Sequence, residues 1–277
     1  MPPVRKNKNT VNSDSPAARQ EKRKLRRGII LLVIIGCFIV GCIVTAWWLK
    51  HRMLEQNRHF LLRRVTVESS GFWGKNNENR NALIRKLDLN LNKDNLFDLD
   101  MKKLRSQLRS IPNISDAQIC TVLPDTVAIS IEERIPRAFL GRPNAELVSD
   151  ANGMVMTARQ CFGVHPKLPV ILIPPDCRVY PGVMQPALRE ALALIMAVQR
   201  YQCFSVALIS LRSPDELFVL MDYRGLRGGR RYHVTMHRGN YPESLDILRS
   251  AIEDARRRGD DRIKINMTYA NQVVMSR

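Results

Sequence analysis

Residues 28–49, GIILLVIIGCFIVGCIVTAWWL, contain no charged side chain. A run of 22 residues at ~1.5 Å rise makes a helix of about 33 Å, enough to cross a hydrocarbon core of about 30 Å. Trp47 and Trp48 close the run, as an aromatic belt does at a membrane–water interface. A cleaved signal peptide has a shorter apolar core and a small-x-small site, and neither is present. The sequence predicts a single transmembrane helix over residues 28–49.

Charge decides which way it points. The chain carries a formal net charge of +18, which suits nucleic acid, an anionic membrane surface or an acidic partner. Residues 1–27 hold nine basic side chains against Asp14 and Glu21, a balance of nine minus two, +7. They lack apolar periodicity and read as a basic cytoplasmic tail. The far flank is basic too, with Lys50, Arg52, Arg58, Arg63 and Arg64 against Glu55, but a long folded segment is exported despite its charge. Residues 50–277 therefore lie outside the cytoplasm, and nucleic acid is excluded as a partner. Cys37 and Cys42 fall in the apolar run; Cys120, Cys161, Cys177 and Cys203 are scattered, with no C-x-x-C spacing for zinc or redox work.

The exported part reads as α+β. In LRRVTVE, residues 62–68, Val65 and Val67 share one strand face. Leu83, Ile84 and Leu87 follow at helical spacing. Asp100 is placed to cap a helix whose stripe is Met101, Leu104, Leu108 and Ile111, with Pro112 beyond its end. ISDAQICTVL is a strand with Ala117 and Ile119 inward. Pro124-Asp125 turns it into a strand with Val127, Ile129 and Ile131 on one face. The order is β-α-α-β-β. After Pro136 come short strands at Leu147-Val148, Met154–Met156 and 168–173, then a helix from Pro186 with Leu188, Leu192, Ile195 and Met196 inward. VALISL, ELFVLM and YHVTMH are strands, the last two joined by the hairpin 224–231. A helix with Leu245, Leu248, Ile252 and Ala255 inward stops near Gly259, and a closing strand 263–275 alternates Ile263, Ile265 and Met267. The result is a mixed β-sheet with two helices.

Three stretches taken together, NLFDLD, LPDTVAISIEERIPRA and the closing strand, resemble the bacterial cell-division family FtsQ/DivIB. The family pattern of Leu-Pro-x-Thr, an alternating strand and Glu-Arg-x-Pro-x-Ala matches Leu123, Pro124, Thr126, Glu133, Arg134, Pro136 and Ala138. The resemblance implies a cytoplasmic tail (1–27), a membrane helix (28–49), a POTRA domain (60–135) and an FtsQ-type β domain (136–277). Glu133, Arg134 and Pro136 then form an interdomain hinge. It further implies a non-enzymatic divisome scaffold in the inner membrane at the septum. Such a scaffold binds FtsB and FtsL homologues outside the cytoplasm and helps control septal peptidoglycan synthesis. Departures are extra residues around GFWGKNN, Asn113-Ile114 where an aromatic-hydrophobic pair is common, and Ile265-Asn266-Met267-Thr268-Tyr269 in place of Val-Asp-Leu-Arg-Tyr.

The residues themselves show little chemistry. No G-x-S-x-G, S-x-x-K or H-E-x-x-H occurs. His233 and His237 sit ~13 Å apart along a strand, too far to share one metal. RGLRGGRR lacks the strand-loop-helix setting and Lys-Ser/Thr pair of a phosphate loop. Glu132 and Glu133 point to opposite faces, and Glu133-Arg134 is expected to form a structural ion pair. Catalytic, cofactor and metal sites are expected to be absent. The closing strand instead offers its edge to a partner strand; the resemblance assigns Tyr269, and next to it Asn271, to partner contact. Rival classes are an outer-membrane assembly component, which would continue into a barrel, and a membrane-anchored cell-wall enzyme, which needs a nucleophile or metal motif. A reporter active only outside the cytoplasm is expected to work when fused after Arg277; activity only from an N-terminal fusion would invert the topology.

Overall fold

The computed structural model describes residues 32–48, 58–174, 177–211, 213–225, 228–269 and 272–276. The basic tail, residues 28–31 and 49 of the apolar run, the hairpin tip 226–227 and Asn271 lie outside the described residues. Contacts divide the chain into two units, Met1–Phe60 and Leu61–Arg277. In the first, residues 32–48 form helix α1, with apolar side chains such as Phe38, Ile39 and Ile43 exposed. Among the described residues no helix is long and apolar enough to cross a membrane.

The second unit begins with β1 (Arg64–Glu68), α2 (Asn77–Lys86), α3 (Met101–Arg109), β2 (Ile114–Val122) and β3 (Thr126–Glu133). This is the β-α-α-β-β order read from the sequence. The strands form a sheet in the order β1-β3-β2. β3 takes the centre because its alternation buries Val127, Ile129 and Ile131. β1 runs parallel to it from Arg64↔Thr126 to Glu68↔Ser130, and β2 runs antiparallel.

Both helices begin on side-chain caps. Asn76 Oδ1 accepts from Asn79 N at 2.8 Å. Asp100 Oδ1 accepts from Lys102 N at 2.9 Å and Lys103 N at 3.0 Å, satisfying donors that a first turn leaves unpaired. The predicted stripe of α3 faces the sheet, with Leu104, Leu108 and Ile111 buried and Met101 packed at the margin. Arg109 Nη2 lies 2.6 Å from Asp116 Oδ1 on β2 and Arg105 Nη2 3.3 Å from it. The Arg109 guanidinium, helped by the Ala117 N–H, holds the Asp116 carboxyl below its ordinary range.

The chain continues through β4 (Ala138–Leu140), β5 (Leu147–Ser149), β6 (Val155–Thr157), β7 (Val170–Leu172), α4 (Arg189–Val198), β8 (Phe204–Ser210), β9 (Glu216–Gly225) and β10 (Gly228–His237). It closes with α5 (Tyr241–Arg257), β11 (Lys264–Tyr269) and β12 (Gln272–Ser276). Their order is β12-β11-β10-β9-β8-β7-β4-β5-β6, one mixed sheet of nine strands. β10–β11, β7–β8 and β4–β7 are parallel. The core joins Leu188, Leu192, Ile195, Leu245, Leu248 and Ile252 of the helical segments to alternate residues of the strands, among them Leu217, Val219, Met221, Val234 and Ile265.

Two expectations are corrected. Met196 is exposed; steps of ~100° per residue centre the buried face of α4 between Ala191 and Ile195, with Leu194 and Val198 also buried. The closing segment is two strands, because the chain reverses after Tyr269 and β12 pairs back onto β11.

Replacing Leu104 with Asp buries a charge with no partner beneath α3, a change costing several kcal/mol. Urea unfolding of the purified chain is expected to show the three-stranded part melting early or without cooperativity.

Candidate functional site: a sheet edge and a junction

The C-terminal edge is built from the end of α5 outward. Gly259 (φ +73°) ends the helix in the left-handed region where glycine is unstrained. Asp260 then accepts from Arg262 N at 3.0 Å and from its guanidinium, which pulls that carboxyl down to about 2. Arg262 Nη1 also donates to Met275 O at 2.8 Å, tying the approach of β11 to the strand beyond it. β11 enters the sheet parallel to β10, with His233↔Lys264 and Val234↔Ile265 in register, and Ile265 fills the core.

β12 covers the outer side of β11, pairing Lys264↔Ser276, Ile265↔Met275, Asn266↔Val274 and Tyr269↔Gln272. The register shifts between Asn266 and Tyr269, where Asn266 Oδ1 accepts from Thr268 N at 2.9 Å and from its hydroxyl at 2.8 Å. Thr268 O meets His237 Nε2 at 2.9 Å. The predicted edge of Tyr269's own strand is thus occupied. The terminal edge of the nine-stranded sheet belongs to β12, whose Val273 and Met275 pack on the core while Val274 is exposed. Tyr269, 57% exposed, stands at the turn end of the hairpin.

The junction lies where β3 leaves the first sheet. Glu133 and Arg134 are adjacent but turn away from each other, as strand neighbours must. The Glu133 carboxylate accepts from Ser69 Oγ at 2.5 Å, Phe72 N at 2.7 Å and Trp73 N at 2.8 Å. Gly71 makes room for it, since a Cβ there would lie 2.3 Å from Glu133 Oε2. Arg134 Nη1 reaches the other sheet and donates to Asp150 Oδ2 at 2.8 Å, both side chains largely buried. Asp150 Oδ1 meanwhile accepts from Asn152 N at 2.9 Å and Met154 N at 2.8 Å. The expected Glu133–Arg134 ion pair is therefore replaced by two bonds in opposite directions. Asn113 adds a third tie: its Oδ1 accepts from buried Trp73 Nε1 at 3.2 Å, and its Nδ2 donates to Gln160 O at 2.5 Å. Pro136 is buried just beyond.

Other side chains are already engaged. Arg231 and Arg230 of the basic hairpin pair with Asp222 at 2.7 Å and Asp261 at 2.6 Å. Burial, with Glu253 accepting its proton at 3.0 Å, pushes the Tyr223 phenol up to about 12. All six cysteines are free thiols, and burial pushes Cys161 up to about 12, so it stays protonated and unreactive at neutral pH. Among the described residues no group of three or more His, Cys, Asp or Glu is placed to hold a metal.

Residues 72–134 match the family model described as POTRA domain, FtsQ-type. The cell division protein FtsQ of Koribacter versatilis (strain Ellin345) is 21% identical over 288 residues, covering 95% of this chain and 77% of that protein. The cell division protein FtsQ of Syntrophotalea carbinolica is 27% identical over 116 residues, 42% of this chain and 39% of that one. The cell division protein DivIB of Clostridium tetani is 32% identical over 65 residues, 24% of each. The chain is similar to FtsQ/DivIB proteins, along most of its length to one of them and in the POTRA segment to the family model.

The matched segment opens at Phe72 and ends at Arg134, so the Glu133 carboxylate joins its two ends. The structure brings Glu133 together with Ser69 and Trp73, Trp73 with Asn113, and Arg134 with Asp150, with Pro136 buried two residues on; Tyr269 lies on the β11–β12 hairpin. Sequence reading missed Asp150 and Asn113. Asp150-Ala-Asn-Gly is legible as a turn, and an aspartate opening such a turn accepts local amides, but nothing local shows that its second oxygen meets Arg134.

Asp150→Ala leaves a mostly buried guanidinium without its partner, a loss of about 3–5 kcal/mol for pairs of this kind. Arg134→Met should cost less, because Asp150 keeps two N–H donors. Denaturant unfolding of the two variants is expected to rank them in that order.

Proposed function

We propose that this chain is a membrane-anchored, non-enzymatic scaffold of bacterial cell division whose β12 edge receives a strand from a partner of the FtsB class. The observation that carries this reading is the position of β12, last in the order of the nine-stranded sheet. A terminal strand presents a row of N–H and C=O groups to another chain, and an added strand takes affinity from them and selectivity from flanking side chains. Exposed Tyr269 and Val274 flank this edge, and the relatives' names place those proteins in cell division. Asn271 joins Tyr269 as a partner contact, and an FtsL homologue accompanies the FtsB homologue.

Residues 28–49 anchor the chain in the inner membrane, with the tail 1–27 in the cytoplasm and the remainder in the periplasm at the division septum. Residues 60–135 serve as the POTRA domain and 136–277 as the β domain, with Glu133, Arg134 and Pro136 as the joint between them. The scaffold acts by geometry: the anchor sets height, the joint sets angle, and the edge positions the partner where septal peptidoglycan synthesis is controlled.

Calorimetry of the detergent-solubilised chain with a peptide from the FtsB homologue tests the edge. Tyr269→Ala is expected to weaken binding by ~2 kcal/mol, roughly 30-fold in Kd. Tyr269→Lys should weaken it further, with circular dichroism unchanged in both. Unaltered affinity in a folded Tyr269→Lys variant would remove the recognition role of this edge.

A further inference from the structure

Two loops flank the point where the chain enters the Leu61–Arg277 unit. Leu62 N donates to Asp94 O at 2.8 Å and Asn92 N to Leu62 O at 2.7 Å, which sets the loop 88–95 on one side. Arg63 N and Arg64 N both donate to Asp125 O, at 2.8 and 3.2 Å, which sets the β2–β3 turn on the other. Each loop sends apolar side chains into solvent: Leu91 is 44% exposed, Val122 50% and Leu123 58%. Elsewhere in this part of the fold leucine and valine supply the core.

Cationic side chains surround the tip, with Arg63, Arg64 and Lys93 exposed. The acidic groups beside them are turned to local donors. Asp125 accepts from Thr126 Oγ1 at 2.9 Å and pairs with Arg64 at 3.5 Å. Asp94 Oδ2 accepts from Asn90 N at 2.7 Å. Asp88 is exposed on the same loop.

We propose that this end of the unit, with Leu91, Val122 and Leu123 at its tip, docks into the headgroup interface of an anionic lipid bilayer. The proposal builds on the reading of residues 28–49 as a membrane anchor. Only residues 50–60 separate that run from Leu61, and eleven residues reach at most about 40 Å. Apolar side chains framed by cations settle at the boundary between headgroups and acyl chains, and anionic headgroups attract the cations over a Debye length. Docking would fix the height and tilt of the first sheet above the bilayer instead of leaving it free on a tether.

Photocrosslinking of the full chain reconstituted in phosphatidylethanolamine–phosphatidylglycerol vesicles tests it. The substitutions Leu123→benzoylphenylalanine and Leu91→benzoylphenylalanine are compared with Ile247→benzoylphenylalanine on α5, a comparably exposed apolar position at 46%. A fourth probe, Val40→benzoylphenylalanine, reports on the anchor. Mass spectrometry is expected to find several-fold more lipid adduct at 123 and 91 than at 247. A second substitution, Leu123→Asp, should lower the adduct at 91. Adduct at 40 with only the background of 247 at 123 and 91 overturns the docking and leaves the anchor standing. No adduct at any position removes both. Equal yields at 123 in purely phosphatidylcholine vesicles overturn the assignment to anionic lipid.

Discussion

The arrangement of Leu61–Arg277 depends on what two adjacent side chains do at the end of one strand. Glu133 and Arg134 carry opposite charges and could have neutralised each other on the surface, where such a pair contributes little. Strand geometry sends them to opposite sides instead. Glu133 gathers the N–H groups of Phe72 and Trp73, and Arg134 crosses to Asp150. A carboxylate meeting N–H donors and a guanidinium meeting a largely buried carboxylate are charge-assisted bonds, stronger and more directional than neutral ones. Desolvation makes the second bond costly to break rather than a large net gain. Its effect is therefore on geometry: the path from β3 to β4 is held by ties on both sides.

Asn113 shows how the same junction uses a neutral group. An amide has one acceptor and two donors, and here the acceptor meets Trp73 while a donor meets Gln160. A carboxylate could not do both. The residue thus links the indole beneath the first sheet to the chain after β6. The junction at Glu133–Arg134 and the terminal strand β12 lie in the same unit, so the ties at the first bear on how firmly the second is held.

Legibility followed the range of the interactions. The stripe on α3, the alternation in β3 and the caps at Asp100 and Gly259 are consequences of spacing within a few residues, and spacing is what a sequence displays. Met196 lay one step outside a real stripe, where periodicity blurs at the rim of the face. The closing hairpin was hidden because Ile265, Met267, Val273 and Met275 continue one alternating, strand-forming run through the reversal. No glycine or proline stands between Tyr269 and Gln272. The closing run 263–275 does end the sheet, but its outer edge belongs to its second half, β12, and not to the half that carries Tyr269. The Arg134–Asp150 contact joins residues of unremarkable local context, so only the folded arrangement reveals it.

The parallel register of β1 on β3 has a mechanical meaning. The chain arrives at the Arg64 end of β1 and departs from the Glu133 end of β3, and these ends lie on opposite sides of the ladder. Tension between the apolar run and the nine-stranded sheet would drag the two strands past each other along their length. The five paired positions from Arg64↔Thr126 to Glu68↔Ser130 would share that load together. Had the strands been antiparallel, the same pull could have opened the ladder one rung at a time. A pull along the chain would therefore load this part of the molecule in its stiffest direction, in shear rather than in peeling.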